Sequence, residues 1–190
     1  MAKDSCVRIG TVTLKITKRQ KESLVFYDRL FELCERVLPG GGCDVVLLPE
    51  RSAVREAELQ ALDGPVAMRF AELAAEAGVY LIAPMAEADG GRMYNTQVVF
   101  SPDGEMIHSY RKVHLAPCED EQAAPGERFD VFDLPWFRAG LMICFDNHFP
   151  ESARCLAVLG ARVLFWPAYG DLLDRGRDAV RCRENNVYLV

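Results

Sequence analysis

The chain has 190 residues, half of them hydrophobic and 26% charged, a globular composition with enough length for a sizeable core. Its formal net charge of −6 argues against the basic face that nucleic-acid binding requires. No apolar run reaches the roughly 18 residues of a membrane span, and no signal-peptide core follows the polar start at Met1. A cytoplasmic protein without nucleic-acid or membrane partners is therefore expected. The seven cysteines (Cys6, Cys34, Cys43, Cys118, Cys144, Cys155 and Cys182) are scattered, with no C-x-x-C pair, so neither a disulfide framework nor a structural zinc site is expected. Most of them read as small buried apolar residues.

Strands and helices alternate along the chain. Val7 to Leu14 alternates apolar and polar residues as a strand does, and Lys18 to Val37 places Leu24, Tyr27, Leu30, Phe31, Cys34 and Val37 at helical spacing. Pro39 and the glycines after it stop that helix. Asp44 to Leu48 is a short apolar run, as in a strand buried on both faces. Gly64-Pro65 opens a helix over Val66 to Ala77 that Gly78 caps. Val79 to Pro84 is another strand, and Gly90-Gly91 a turn. Tyr94 to Phe100 and Glu105 to Val113 read as a hairpin joined by Ser101-Pro102-Asp103-Gly104.

An acidic loop follows over Cys118 to Gly126, then short strands at Phe129 to Phe132 and Ala139 to Ile143. A helix starts at Pro150 and ends at Gly160, a strand covers Arg162 to Trp166, a helix Gly176 to Glu184, and a last strand begins at Asn186. With no repeat or linker, residues 1–190 read as one α/β domain. The stop at Val190, inside an apolar strand, points to a fold lacking its C-terminal part.

Glu50 follows the strand V-V-L-L-P-E, Lys112 lies in Y-R-K-V-H-L, and Cys144 lies in G-L-M-I-C-F-D-N-H-F-P-E. Ligands of open α/β sheets bind at the carboxyl ends of strands, where these residues can converge. A thiol needs a base to become a nucleophile at neutral pH, and a carboxylate can serve. An ammonium favours the thiolate and can stabilise an oxyanion. Glu, Lys and Cys therefore suffice for hydrolysis without a metal or other cofactor. Cys144 sits between a strand and a helix, as nucleophiles on sharp turns do, and the Phe145 backbone N–H could help bind an oxyanion.

These three segments, in this order, resemble the signature segments of the nitrilase superfamily, the carbon–nitrogen hydrolases. Supporting pieces are the N-T-x-x-x-F-x-x-D-G hairpin from Asn95 to Gly104, Pro125-Gly126, G-A-R-V-L-F-W-P-A after the Cys helix, and R-C-R-E-N-N-V-Y from Arg181. The resemblance implies a four-layer αββα sandwich, incomplete at the C-terminus. It implies Glu50 as base, Lys112 as oxyanion stabiliser and Cys144 as nucleophile of a covalent acyl- or thioimidate-enzyme. A second glutamate is carried to Glu119, seven residues after Lys112 and seven before Gly126, with Glu121 as the fallback. The implied substrate is a small amide or N-carbamoyl compound, releasing ammonia or an amine, and the implied assembly a homodimer or higher homo-oligomer. The alternatives are a nitrile substrate, or an inactive truncated homologue that acts as a binding or assembly protein.

Taken singly, these residues read otherwise. Glu50 alone is a cap or surface group, Arg111 competes with Lys112, and Cys144 alone is core filler. Phe145, His148, Trp166 and Tyr169 are the candidate substrate-binding residues, Trp166 and Tyr169 divided evenly between pocket wall and core. Asp146 is expected to organise its turn or pair with an arginine, and Arg181 and Glu184 to pair along one helix face. The histidines show no metal-ligand spacing.

Overall fold

The computed structural model describes residues 6–14, 26–40, 42–50, 59–117, 119, 123–169 and 174–190. Two sheets face each other. The first has the order β1 (Ile9–Thr11), β2 (Val45–Leu47), β3 (Tyr80–Asp89), β4 (Arg92–Phe100) and β5 (Met106–Arg111). β1, β2 and β3 run parallel, and β3, β4 and β5 antiparallel. The second has the order β6 (Val131–Asp133), β7 (Arg138–Leu141), β8 (Val163–Phe165) and β9 (Tyr188–Leu189), parallel except for β6. Parallel neighbours need crossovers, which in this chain are helical. Helices α1 (Phe26–Val37) and α2 (Pro65–Ala77) precede β2 and β3, while α3 (Pro150–Val158) and α4 (Arg175–Asn185) precede β8 and β9.

Strand alternation builds the layers. Val45, Leu47, Ile82 and Val99 of the first sheet meet Leu141, Ile143, Val163 and Phe165 of the second in a buried core between the sheets. The residues between them point the other way. Val46, Leu48, Leu81 and Val98 pack under Leu30 and Cys34 of α1 and Phe70 and Leu73 of α2. Met142, Leu164 and Trp166 pack under Ala153 and Leu156 of α3. This is the αββα sandwich that the family resemblance implies.

Local signals explain the element ends. Pro65 begins α2, and Gly78 closes it at φ 65°, its N–H donating to the carbonyls of Ala74 and Ala75. The first helix is described only from Phe26, and the part expected from Lys18 lies outside the described residues. Two expectations change. β3 does not stop at Pro84 but continues to Asp89, meeting β4 across the two-residue turn Gly90-Gly91, both at positive φ. Pro84 is tolerated because it lies past the last residue of β3 that pairs with β2, Ile82, so no ladder bond to β2 is lost. Asn186 does not begin the last strand but caps α4 at φ 53°. Two cysteines read as buried, Cys6 and Cys155, are exposed.

Candidate active site

Glu50, Lys112, Glu119 and Cys144 come together at one end of the sandwich. Glu50 follows β2, Lys112 follows β5, and Cys144 follows β7. Lys112 N–H donates to the Asn95 carbonyl (2.9 Å), extending the β4–β5 ladder by one step. Its side chain therefore emerges on the face opposite that of Arg111, by strand alternation. That resolves the competition between the two cations. Arg111 turns to Glu87 (3.0 Å) and Asp89 (2.7 Å) and lies 3.9 Å over the Tyr94 ring. Lys112 enters the buried cluster.

Lys112 Nζ donates to Glu50 Oε1 (2.8 Å) and to Glu119 Oε2 (2.6 Å). The ammonium is 1% exposed. Burial works against its charge, but the two carboxylates overcome that and raise its pKa. Glu50 Oε2 accepts from the Tyr169 N–H at 2.7 Å. Burial raises the Glu50 pKa, opposed by the charge and hydrogen bond of Lys112. Glu119 Oε2 also accepts from the Ala116 N–H at 2.9 Å, which pins its loop. That loop returns against β5 at Gly126, where any Cβ would lie 2.2 Å from the Arg111 carbonyl oxygen. Glycine is required there by close backbone approach. The fallback, Glu121, lies outside the described residues, as does Cys118.

Cys144 opens a short 3₁₀ turn, Cys144–His148, between β7 and α3. Its φ is +44°, and among the described non-glycine residues only Asn186 shares that sign. Such backbone costs on the order of 1–3 kcal/mol and needs surrounding structure to hold it. The Cys144 N–H donates to the Pro167 carbonyl (2.9 Å), and its carbonyl accepts from Trp166 Nε1 (2.8 Å). Asp146 ties the turn together. It accepts from the Ile143 N–H (2.8 Å), the Tyr110 hydroxyl (2.8 Å) and the His114 N–H (2.9 Å). Its part is to organise the turn.

The thiol interacts with the Glu50 carboxylate and the Tyr169 N–H, and its pKa is pushed up to about 12. Burial is the main cause, with the Glu50 charge second; Lys112 and the Tyr169 N–H act against them. The ammonium thus favours the thiolate as the sequence suggests, but does not prevail. Burial therefore favours the neutral thiol over the thiolate.

Of the remaining candidates, Trp166 and Tyr169 border a cavity beside Glu50, and Phe145 and His148 do not line it. Trp166 is both core and wall: it is buried, and it borders, with Pro49, Glu50, Ala168 and Tyr169, a cavity of about 580 Å³. Phe145 is half-buried and its ring lies 4.5 Å from that of exposed His148. Arg181 pairs with Glu184 (3.2 Å), as expected. Among the described residues no His, Cys, Asp and Glu group could hold a metal ion. One participant was missed: Asn95, buried on β4, donates to both glutamates. Its signal was an amide on the strand face that also carries Gln97 and Val99, a face otherwise directed into the core.

The carbon–nitrogen hydrolase family profile matches residues 8–179. The chain belongs to the carbon–nitrogen hydrolase family. The chain is 40% identical over 161 residues to a protein of Pyrococcus abyssi named nitrilase, covering 78% of this chain and 61% of that one. It is 34% identical over 148 residues to the human omega-amidase NIT2, covering 68% and 52%. It thus spans between half and two thirds of the length of these relatives. Among solved structures it is similar to Nit3 of Saccharomyces cerevisiae, at a TM-score of 0.78 and 25% identity, covering 96% of this chain and 73% of that one. An amidase from Nesterenkonia sp. shares the fold at a TM-score of 0.78 and 22% identity, covering 99% and 76%. No described helix of the chain is long and apolar enough to cross a membrane.

Proposed function

We propose that the site hydrolyses the amide, or N-carbamoyl, carbon–nitrogen bond of a small molecule through a thioester on Cys144. The observation that supports this most is a buried thiol on a strained turn, beside a carboxylate that a buried ammonium holds. Glu50 takes the thiol proton as Sγ attacks the carbonyl carbon. Two of the three Lys112 N–H groups are committed to carboxylates; the third, with the Phe145 backbone N–H, receives the oxyanion. The intermediate collapses, the C–N bond breaks, and Glu50 returns its proton to the leaving nitrogen. Water then attacks the thioester, giving Glu50 a proton that passes to the departing sulfur. The products are a carboxylic acid, or a carbamic acid from a carbamoyl group, and ammonia or an amine. Glu119 contacts Lys112 rather than the thiol, and its part is to aim the ammonium.

The relatives named omega-amidase favour an amide, and the one named nitrilase favours a nitrile, which would pass through a thioimidate on the same sulfur. Ammonia release from panels of small amides, carbamoyl amines and nitriles separates the two. The Cys144→Ala protein is expected to lose turnover by at least about 10³-fold; retained turnover refutes the nucleophile. A homodimer or higher homo-oligomer belongs to the same reading, and a monomer in sedimentation velocity would refute that part.

A further inference from the structure

We infer that Asn95 is a positioning residue of this site, its side-chain amide clamping Glu50 and Glu119 to one donor and keeping the base turned toward Cys144. The inference rests on the proposed function for its chemistry but on geometry for its existence. Asn95 Nδ2 lies 3.0 Å from Glu50 Oε1 and 2.9 Å from Glu119 Oε1. Lys112 Nζ bridges the same two carboxylates. The two glutamates are thus joined by two donors, one charged and one neutral.

The neutral donor matters because the charges do not balance. One ammonium faces two carboxylates, and a second cation would be needed to neutralise the pair. An amide supplies N–H dipoles instead, at no cost in net charge. The orientation of the amide is fixed by its neighbours: its oxygen could not sit against two carboxylates, so Nδ2 must face them. Oδ1 is left buried with no hydrogen-bond partner among the described residues. A buried unpaired oxygen is unfavourable, so fold stability alone does not account for an asparagine here.

The backbone places this amide. Asn95 faces Ala86 across the β3–β4 ladder, and its carbonyl receives the Lys112 N–H at 2.9 Å. Clamp and ammonium are therefore carried by adjacent points of one hairpin and move together. Among the described residues, the titratable groups that meet Glu50 are Lys112 after β5, Glu119 in the following loop, and Cys144 after β7; Tyr169 meets it through its backbone N–H. Removing the Asn95 donor leaves Lys112 as the donor the two carboxylates share, beside the Tyr169 and Ala116 N–H groups that each accepts from separately. A proton is then bound more tightly by the pair, and the base is ionised only at higher pH.

The test uses the full chain and two variants, Asn95→Ala and Asn95→Leu, the second nearly keeping the shape without the N–H groups and without adding a charge. Site-resolved alkylation of Cys144 by iodoacetamide is followed by peptide mass spectrometry across pH, alongside ammonia release and thermal melting. The acid limb of the alkylation profile is expected to move up by about one pH unit in both variants. Turnover should lose about 10- to 100-fold in kcat with KM little changed. Variant profiles that superimpose on that of the unmodified chain overturn the inference, whatever their melting temperatures. So does loss of cooperative melting in both variants, which would make Asn95 a folding residue. If the unmodified chain releases no ammonia from any panel, the proposed function fails. The alkylation profile, which needs no substrate, still decides the role of Asn95.

Discussion

Two adjacent residues of one strand end, Arg111 and Lys112, each hold two carboxylates, and only one of the two clusters faces a nucleophile. Arg111 binds Glu87 and Asp89, and Glu87 also accepts from the Thr96 hydroxyl at 2.6 Å. The arginine side chain is 33% exposed and Asp89 more so, so water screens this cluster and its charges are satisfied where they stand. Lys112 is sealed from water with Glu50, Glu119 and Asn95. The ammonium has a third donor to turn to a developing oxyanion, whereas the guanidinium lies on the opposite strand face, directed to Glu87 and Asp89. The comparison teaches that a buried ion cluster becomes an active-site candidate through what borders it: here, a thiol on a strained turn and a cavity.

Substitutions can break or sharpen that contrast. Lys112→Met should have the largest effect. It leaves two buried carboxylates without a cation, costing about 3–5 kcal/mol in a denaturant melt, and it should lower turnover by at least about 10²–10³-fold. Gly126→Ala should come next, through the 2.2 Å approach to the Arg111 carbonyl. The Glu119 loop must move, with a loss of about 1–3 kcal/mol in the same melt and reduced turnover. Arg111→Met should cost about 1–3 kcal/mol by leaving Glu87 buried beside Thr96 alone, while turnover per folded molecule is unchanged. Equal losses of turnover in Arg111→Met and Lys112→Met would erase the distinction.

A further effect is on alkaline stability. Cys34 and Cys144 both have pKa values pushed up to about 12 from 9.0, chiefly by burial. A folded-state pKa above the unfolded one contributes stability that is whole below pH 9 and fades as pH rises toward 12. The melting temperature should therefore fall over that window, and less steeply in Cys34→Ala. An unchanged slope would contradict the burial account of Cys34.

The sequence carried the fold and the polar centre unevenly. Glu50, Lys112, Cys144 and Glu119 stood out only through the motif segments that resemble the family's, since each taken singly reads as a cap, a surface group or core filler. The strand pattern alone did not choose between Arg111 and Lys112, since neighbouring residues on a strand differ only in face, and face depends on register. Asn95 was quoted in the hairpin but not read as part of the site, because one amide gives no sign that two distant carboxylates will meet it. Pro84 misled for the same kind of reason: whether a proline ends a strand depends on where its neighbouring strand stops. Cys155 is exposed because it lies on the side of α3 opposite buried Ala153 and Leu156, and Cys6 is exposed ahead of β1.

The central claim is that Cys144 carries the acyl group of a substrate whose carbon–nitrogen bond has broken. It is tested most directly by acid-quenching the full chain during turnover of a reactive amide and mapping its peptides by mass spectrometry. The account predicts a mass increment on Cys144 equal to the acyl group, with ammonia released in step, and none in Cys144→Ala. Ammonia release without any adduct on Cys144, persisting in Cys144→Ala, would contradict it.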